Sequence, residues 1–152
     1  MTINEIRIAL AKVWTNAAFE MDEEHQWLST NTTYDGIDIS FTTEIFLCGN
    51  VIGVSFNFGK TKLLNEFYPL MNKFNLDSDV YYKAFLAINK NDNKIADVVI
   101  LTGDMVKNVE EAVQFIIGTH NYLVDNKVTL TIANYQSDKR IMGQLNSFFK
   151  FS

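Results

Sequence analysis

The chain has 152 residues, of which 47% are hydrophobic and 13% aromatic; that is ample apolar surface to offset chain entropy, which excludes intrinsic disorder. A single Pro and 7 Gly exclude a collagen-like or linker-rich chain, and a single Cys excludes a disulfide scaffold and every multi-cysteine metal motif. The net charge of −5 argues against sequence-independent nucleic-acid binding and against an anionic membrane surface, since both need excess cations.

The N-terminal segment opens with Thr2 and Glu5 at capping-box spacing. Ile3, Ile6, Leu10, Val13, Trp14, Ala17 and Met21 then recur every three or four residues, which predicts one amphipathic helix of about 20 residues. No apolar signal-peptide core follows the first charged residues, and no stretch approaches the ~18 apolar residues of a spanning helix. A soluble, cytoplasmic protein is therefore expected.

From Gln26 the period changes to two. Gln26 to Tyr34 is compatible with a strand, and Asp35-Gly36 is a hairpin signal. Ile37, Ile39, Phe41, Thr43, Ile45 and Leu47 alternate with Asp38, Ser40, Thr42, Glu44 and Phe46, as a strand with two unlike faces requires. After Gly49-Asn50, Ile52, Val54, Phe56 and Phe58 repeat the pattern. These three strands read as a meander.

Gly59-Lys60-Thr61 follows a strand and reads as the turn into a helix. A phosphate-binding loop would need a second glycine at Val54, so that chemistry is set aside. Leu63, Leu64, Phe67, Leu70, Met71 and Phe74 have helical spacing, with Pro69 inside it and a kink or break expected near Asn65–Tyr68. Val80 to Lys90 and Ile95 to Thr102 read as a hairpin around Asn91-Asp92-Asn93. Asn108 and Glu111 form a second capping box, ahead of a stripe of Val109, Ala112, Val113, Ile116, Leu123 and Val124. A final strand over Val128 to Tyr135 and a short helix capped by Ser137 close the chain.

The reading is a single α+β domain over residues 1–152. An antiparallel sheet carries packed helices in the order αβββαββα, plus a C-terminal strand and helix. Its expected core contains Leu10, Trp14, Ile39, Phe41, Val54, Phe56, Leu64, Phe67, Leu86, Val99, Val113 and Ile116.

The asymmetry of charge is the main functional signal. Between Lys12 and Lys60 there is no Lys or Arg, while Glu20, Asp22, Glu23, Glu24, Asp35, Asp38 and Glu44 fall in that window. Such segregation bears on partners and association rate, not on fold. Asp35, Asp38 and Glu44 on a sheet face, with Asp22, Glu23 and Glu24, form the candidate docking surface for another protein, a basic one by charge. An ordinary solvated sheet face would look the same in sequence. His25 beside the three acids, placed at a helix end, converges poorly on a metal. His120, on the apolar stripe, reads as a partly buried histidine. Neither has an acid or nucleophile partner at a recognised spacing, and Cys48 carries no nucleophile signature. No cofactor, metal site or catalytic residue is expected. A surplus of aromatic residues and the Phe148-Phe149-Lys150-Phe151 end point to a homodimer.

The Asp35-Gly36 hairpin, the Leu63-Leu64-Asn65-Glu66-Phe67 helix start and the hairpin-then-capped-helix segment from Val80 to Val124 together resemble the fold of type III secretion chaperones and of the YbjN-like proteins. The resemblance covers roughly four fifths of the chain; the segment after Asp125 departs from it. It implies a small, often dimeric, non-enzymatic module that binds protein segments. Two other function classes stay open at this level. One is a small acidic inhibitor or immunity-type protein that blocks a basic site. The other is a binder of a small ligand.

Overall fold

Thr2 starts the first helix as its sequence requires: its hydroxyl accepts a hydrogen bond from the Glu5 N–H at 3.2 Å, and α1 runs Ile3–Val13. The computed structural model describes residues 1–33, 40–62, 72, 75–76 and 82–125. Among these residues six strands follow: β1 (Phe19–Asp22), β2 (Trp27–Thr33), β3 (Ser40–Cys48), β4 (Val51–Lys62), β5 (Lys83–Ile88) and β6 (Ile95–Met105). The second described helix, α2, is Val109–Asp125. The strands form one antiparallel sheet in the order β1-β2-β3-β4-β6-β5, so the fold is α+β.

Three expectations are corrected. The first helix is half as long as its stripe suggests. Trp14 leaves helical geometry with ψ 71° while its N–H still bonds Leu10 O, and Phe19–Asp22 forms β1 instead. Ala17 and Met21 fit a period of four, but Phe19 and Met21 fit a period of two. Pairing with β2 decides the matter, because Met21 falls opposite the fully buried Leu28. His25 and the acids around it therefore occupy a β-turn between β1 and β2, not a helix end, and Gln26 takes a φ of 51° there. Finally, Gly59-Lys60-Thr61 stays within β4. The ladder to β6 shifts register between Asn57 and Lys60, a bulge, and pairing resumes with Lys60 opposite Asp97. The helix expected from Leu63, the Pro69 kink, Asp35, Asp38, Ile39, Leu64, Phe67 and the C-terminal strand and helix lie outside the described residues, as does the Phe41 side chain.

Elsewhere the expected alternation holds. Thr43, Ile45 and Leu47 of β3 and Ile52, Val54 and Phe56 of β4 are buried. The last two rows of the core run straight across the ladders: Phe19, Thr30, Thr43, Phe56, Ile100 and Ala84 in one, Met21, Leu28, Ile45, Val54 and Thr102 in the next. Both helices cover this face. Ile3, Ile6 and Leu10 of α1 and Ala112 and Ile116 of α2 are fully buried against it. Trp14, Leu86 and Val113 pack at its margin, while Val99 is buried on the opposite face.

The second capping box forms with a shift of one residue. Asn108 Oδ1 accepts from the Glu111 N–H at 2.9 Å, but the Glu111 carboxylate reaches Lys107 N–H at 2.8 Å. At the sheet's far edge, Asn75 imitates a neighbouring strand. Its carboxamide accepts from Ala84 N–H at 2.7 Å and donates to Ala84 C=O at 2.9 Å, occupying an edge position of β5.

Candidate functional site

Because side chains alternate along a strand, burying one face of the sheet under α1 and α2 turns the other set of side chains to the opposite face, which no helix of the described residues covers. Two cross-strand rows define this outer face. The first holds Glu20, Ser29, Glu44, Ser55, Leu101 and Lys83; the second holds Asp22, Trp27, Phe46, Gly53 and Gly103. Phe46 and Leu101 are each 40% exposed and Phe85 43%, with Val51 and Met105 exposed beside them. The face is therefore apolar at its centre, with Glu20, Asp22 and Glu44 along β1–β3, and Asp97 of β6 and Lys83 of β5 at the far side, where Lys83 Nζ donates to Asn75 C=O at 2.7 Å.

The local geometry is fixed by cross-strand pairs. Trp27 lies directly opposite Phe46, and its indole Nε1–H donates to Glu44 Oε2 at 3.4 Å. Thr42 Oγ1 donates to Asn31 Oδ1 at 2.8 Å. A groove of about 400 Å³ runs between Glu20, Trp27, Ser29, Asn31, Thr42 and Glu44. The glycine pair Gly53–Gly103 forms a bare backbone trough on the β4–β6 side, with the Phe46 ring leaning over Gly53.

Of the acids expected to act together, Glu44 is on this face. Asp22 is on it too, but its carboxylate is engaged locally. It accepts from His25 N–H at 3.1 Å and meets His25 Nδ1 at 2.7 Å, and this hydrogen bonding holds its pKa below the usual aspartate value. Glu23 and Glu24 stand in the turn beyond the last pair of the β1–β2 ladder. Glu20, Trp27, Phe46, the two glycines and Lys83 were not singled out by the sequence. Glu20 was hidden by the helix reading of its segment, and the glycines become a pair only once β6 is known to lie beside β4. Among the described residues no group of three His, Cys, Asp or Glu could hold a metal ion, and no helix is long and apolar enough to cross a membrane.

His120 packs at the other side of the molecule. Its ring lies 5.0 Å from that of Trp14, tying the end of α1 to α2, and burial lowers its pKa. Tyr82 stacks on Tyr122 at 4.6 Å; burial, then the neighbouring phenol, raises its pKa to about 12.

Neither a family model nor a curated protein matches the chain. Among solved structures it is similar to "YbjN, a putative transcription regulator from E. coli", with a TM-score of 0.57 and 17% sequence identity over 90% of this chain and 93% of that one. At this identity the likeness is one of fold. It supports the YbjN-like architecture and leaves the chaperone half of the sequence resemblance without a counterpart.

Proposed function

We propose that this chain is a non-enzymatic protein-binding module, of regulator, adaptor or chaperone type, that takes its partner on the outer face of the sheet. The observation that carries this reading is the exposure of Phe46 and Leu101 on the face opposite both helices, bordered by Glu20 and Glu44. An exposed apolar strip with a charged border is what protein interfaces are made of: a desolvated centre supplies affinity and a charged rim supplies steering. The regulatory role printed for YbjN is compatible with such a module. The alternative, an acidic inhibitor that blocks a basic site, uses the same acids without the apolar centre.

The experiment is capture of proteins on immobilised wild type and on a Phe46→Glu/Leu101→Glu variant, repeated from low to high salt. The proposal expects the variant to lose what the wild type holds, while a helix-side variant, Glu110→Lys, retains it. Retention by the wild type should survive high salt, because apolar contacts are not screened. Equal retention by all three proteins contradicts the outer-face reading; loss with salt alone favours the inhibitor.

A further inference from the structure

We infer that the groove across β1, β2 and β3 is a subsite for one arginine side chain, carried by an extended segment of the protein that docks on the outer face. The inference rests on the docking reading above and names the residue by which the partner is recognised.

Three acceptors converge in the groove from three neighbouring strands. Glu20, Ser29 and Glu44 form one cross-strand row on β1, β2 and β3. Among the described residues neither glutamate has an ion pair. Lys83 stands three strands away from Glu44, on β5, with its Nζ engaged by Asn75 C=O. Two acids in a row are an ordinary solvated pair; the floor between them is not. Ser29 is only 7% exposed, yet its side chain lines the groove, and its hydroxyl has no hydrogen-bond partner among the described residues. The neighbouring hydroxyls are engaged within the chain, Thr42 with Asn31 and Thr30 with Ala18 C=O. A buried hydroxyl left unpaired costs free energy that a ligand's N–H recovers.

The shape selects the ligand. Glu20 and Glu44 lie on strands two spacings apart, about 9.5 Å from backbone to backbone. That span suits a planar guanidinium with a hydrogen bond of about 2.9 Å on each side. Its five donors serve both carboxylates and the Ser29 oxygen together, whereas an ammonium is a compact point charge without that fork. Trp27 supplies the wall. It precedes Ser29 by two residues on β2 and so shares its face, and the bond from its Nε1–H to Glu44 Oε2 ties the indole to the groove. Guanidinium groups stack on such a ring.

The apolar strip fixes the rest of the segment. Phe46 follows Glu44 by two residues on β3, about 6.8 Å along the strand, and lies opposite Gly53. An extended chain along β3 with its arginine above Ser29 therefore sets the side chain two positions away against Phe46 and the bare backbone of Gly53. The recognised pattern is an arginine and an apolar residue separated by one position.

The test is an NMR titration with the peptide Ac-Ser-Leu-Ser-Arg-Ser-Leu-Ser-NH2, read at the indole N–H signals. The chain has two tryptophans, and Trp14 packs on His120 at the other side of the molecule. The Trp27 signal should move to saturation while that of Trp14 stays. Citrulline in place of the arginine, which keeps the shape and removes the charge, should weaken binding about tenfold or more; lysine should weaken it about fivefold. Glu20→Gln/Glu44→Gln should lose about tenfold or more and Ser29→Ala about fivefold, with circular dichroism confirming each fold. N-acetylarginine amide, without the leucines, should bind about tenfold more weakly than the peptide. A Trp27 signal unmoved by millimolar peptide, a citrulline peptide as tight as the arginine one, or an unaffected Ser29→Ala overturns the inference. N-acetylarginine amide as tight as the peptide makes the groove a site for a free guanidinium compound and overturns the partner segment. If the peptide fails while Phe46→Glu/Leu101→Glu still loses captured proteins, the arginine subsite falls and the docking face stands. If that variant also keeps every captured protein, both fall.

Discussion

Gly103 lies directly opposite Gly53 across the β4–β6 ladder, and a Cβ on Gly103 would come within 3.0 Å of the Ile52 carbonyl oxygen. The same atom on Gly53 would meet nothing closer than the Phe46 side chain at 4.0 Å. The two glycines are thus unequal. Backbone cannot yield as a side chain can, so Gly103→Ala should destabilise the fold by about 1–3 kcal/mol. Gly53→Ala should stay within about 0.5 kcal/mol of wild type. Denaturant midpoints of the two variants check this; equal midpoints would contradict it.

Two threonines side by side in the core make opposite predictions. Thr30 donates its hydroxyl to Ala18 C=O at 2.9 Å, whereas the Oγ1 of its cross-strand neighbour Thr43 is buried with no hydrogen-bond partner among the described residues. An unpaired buried hydroxyl carries its full desolvation cost, about 1–3 kcal/mol. Thr43→Val should therefore raise stability by about 1 kcal/mol, and Thr30→Val should lower it by a similar amount. Urea unfolding of the pair measures both; a loss at Thr43 would mean that its hydroxyl is satisfied.

Burial against Trp14 disfavours the charged form of His120, so its folded pKa lies below the ordinary histidine value. The unfolded chain, titrating near 6.5, takes up the proton first as pH falls. Its contribution to stability is then complete above that value and is lost as pH drops below it. The unfolding midpoint of the wild type should fall between pH 7 and pH 5, and the fall should be smaller in His120→Phe. An identical slope in both proteins would contradict this.

The strands of the core were legible in the sequence because alternation is local: Ile45 and Leu47, or Val54 and Phe56, betray their face without reference to any partner. The cap at Thr2 and the one at Asn108 were legible for the same reason. What failed was decided across the ladder. Glu20 and Met21 fit a helix until Leu28 is set beside Met21, and Lys60 reads as a turn until Asp97 is set opposite it. The candidate site was half legible. Glu44 was placed on its face by alternation alone, but the strip of Trp27, Phe46, Gly53 and Gly103 exists only through the strand order β2-β3-β4-β6, in which β6 bypasses β5. No short-range pattern encodes that order.

Cys48, the chain's single cysteine, is exposed at the end of β3, two residues beyond Phe46 and therefore on the same face. A bulky maleimide attached there should obstruct the outer face: the fully alkylated wild type, immobilised, should lose the proteins that the unmodified chain holds, as Phe46→Glu/Leu101→Glu does, with its circular dichroism unchanged. Undiminished capture after complete alkylation of Cys48 would contradict the outer face as the docking surface.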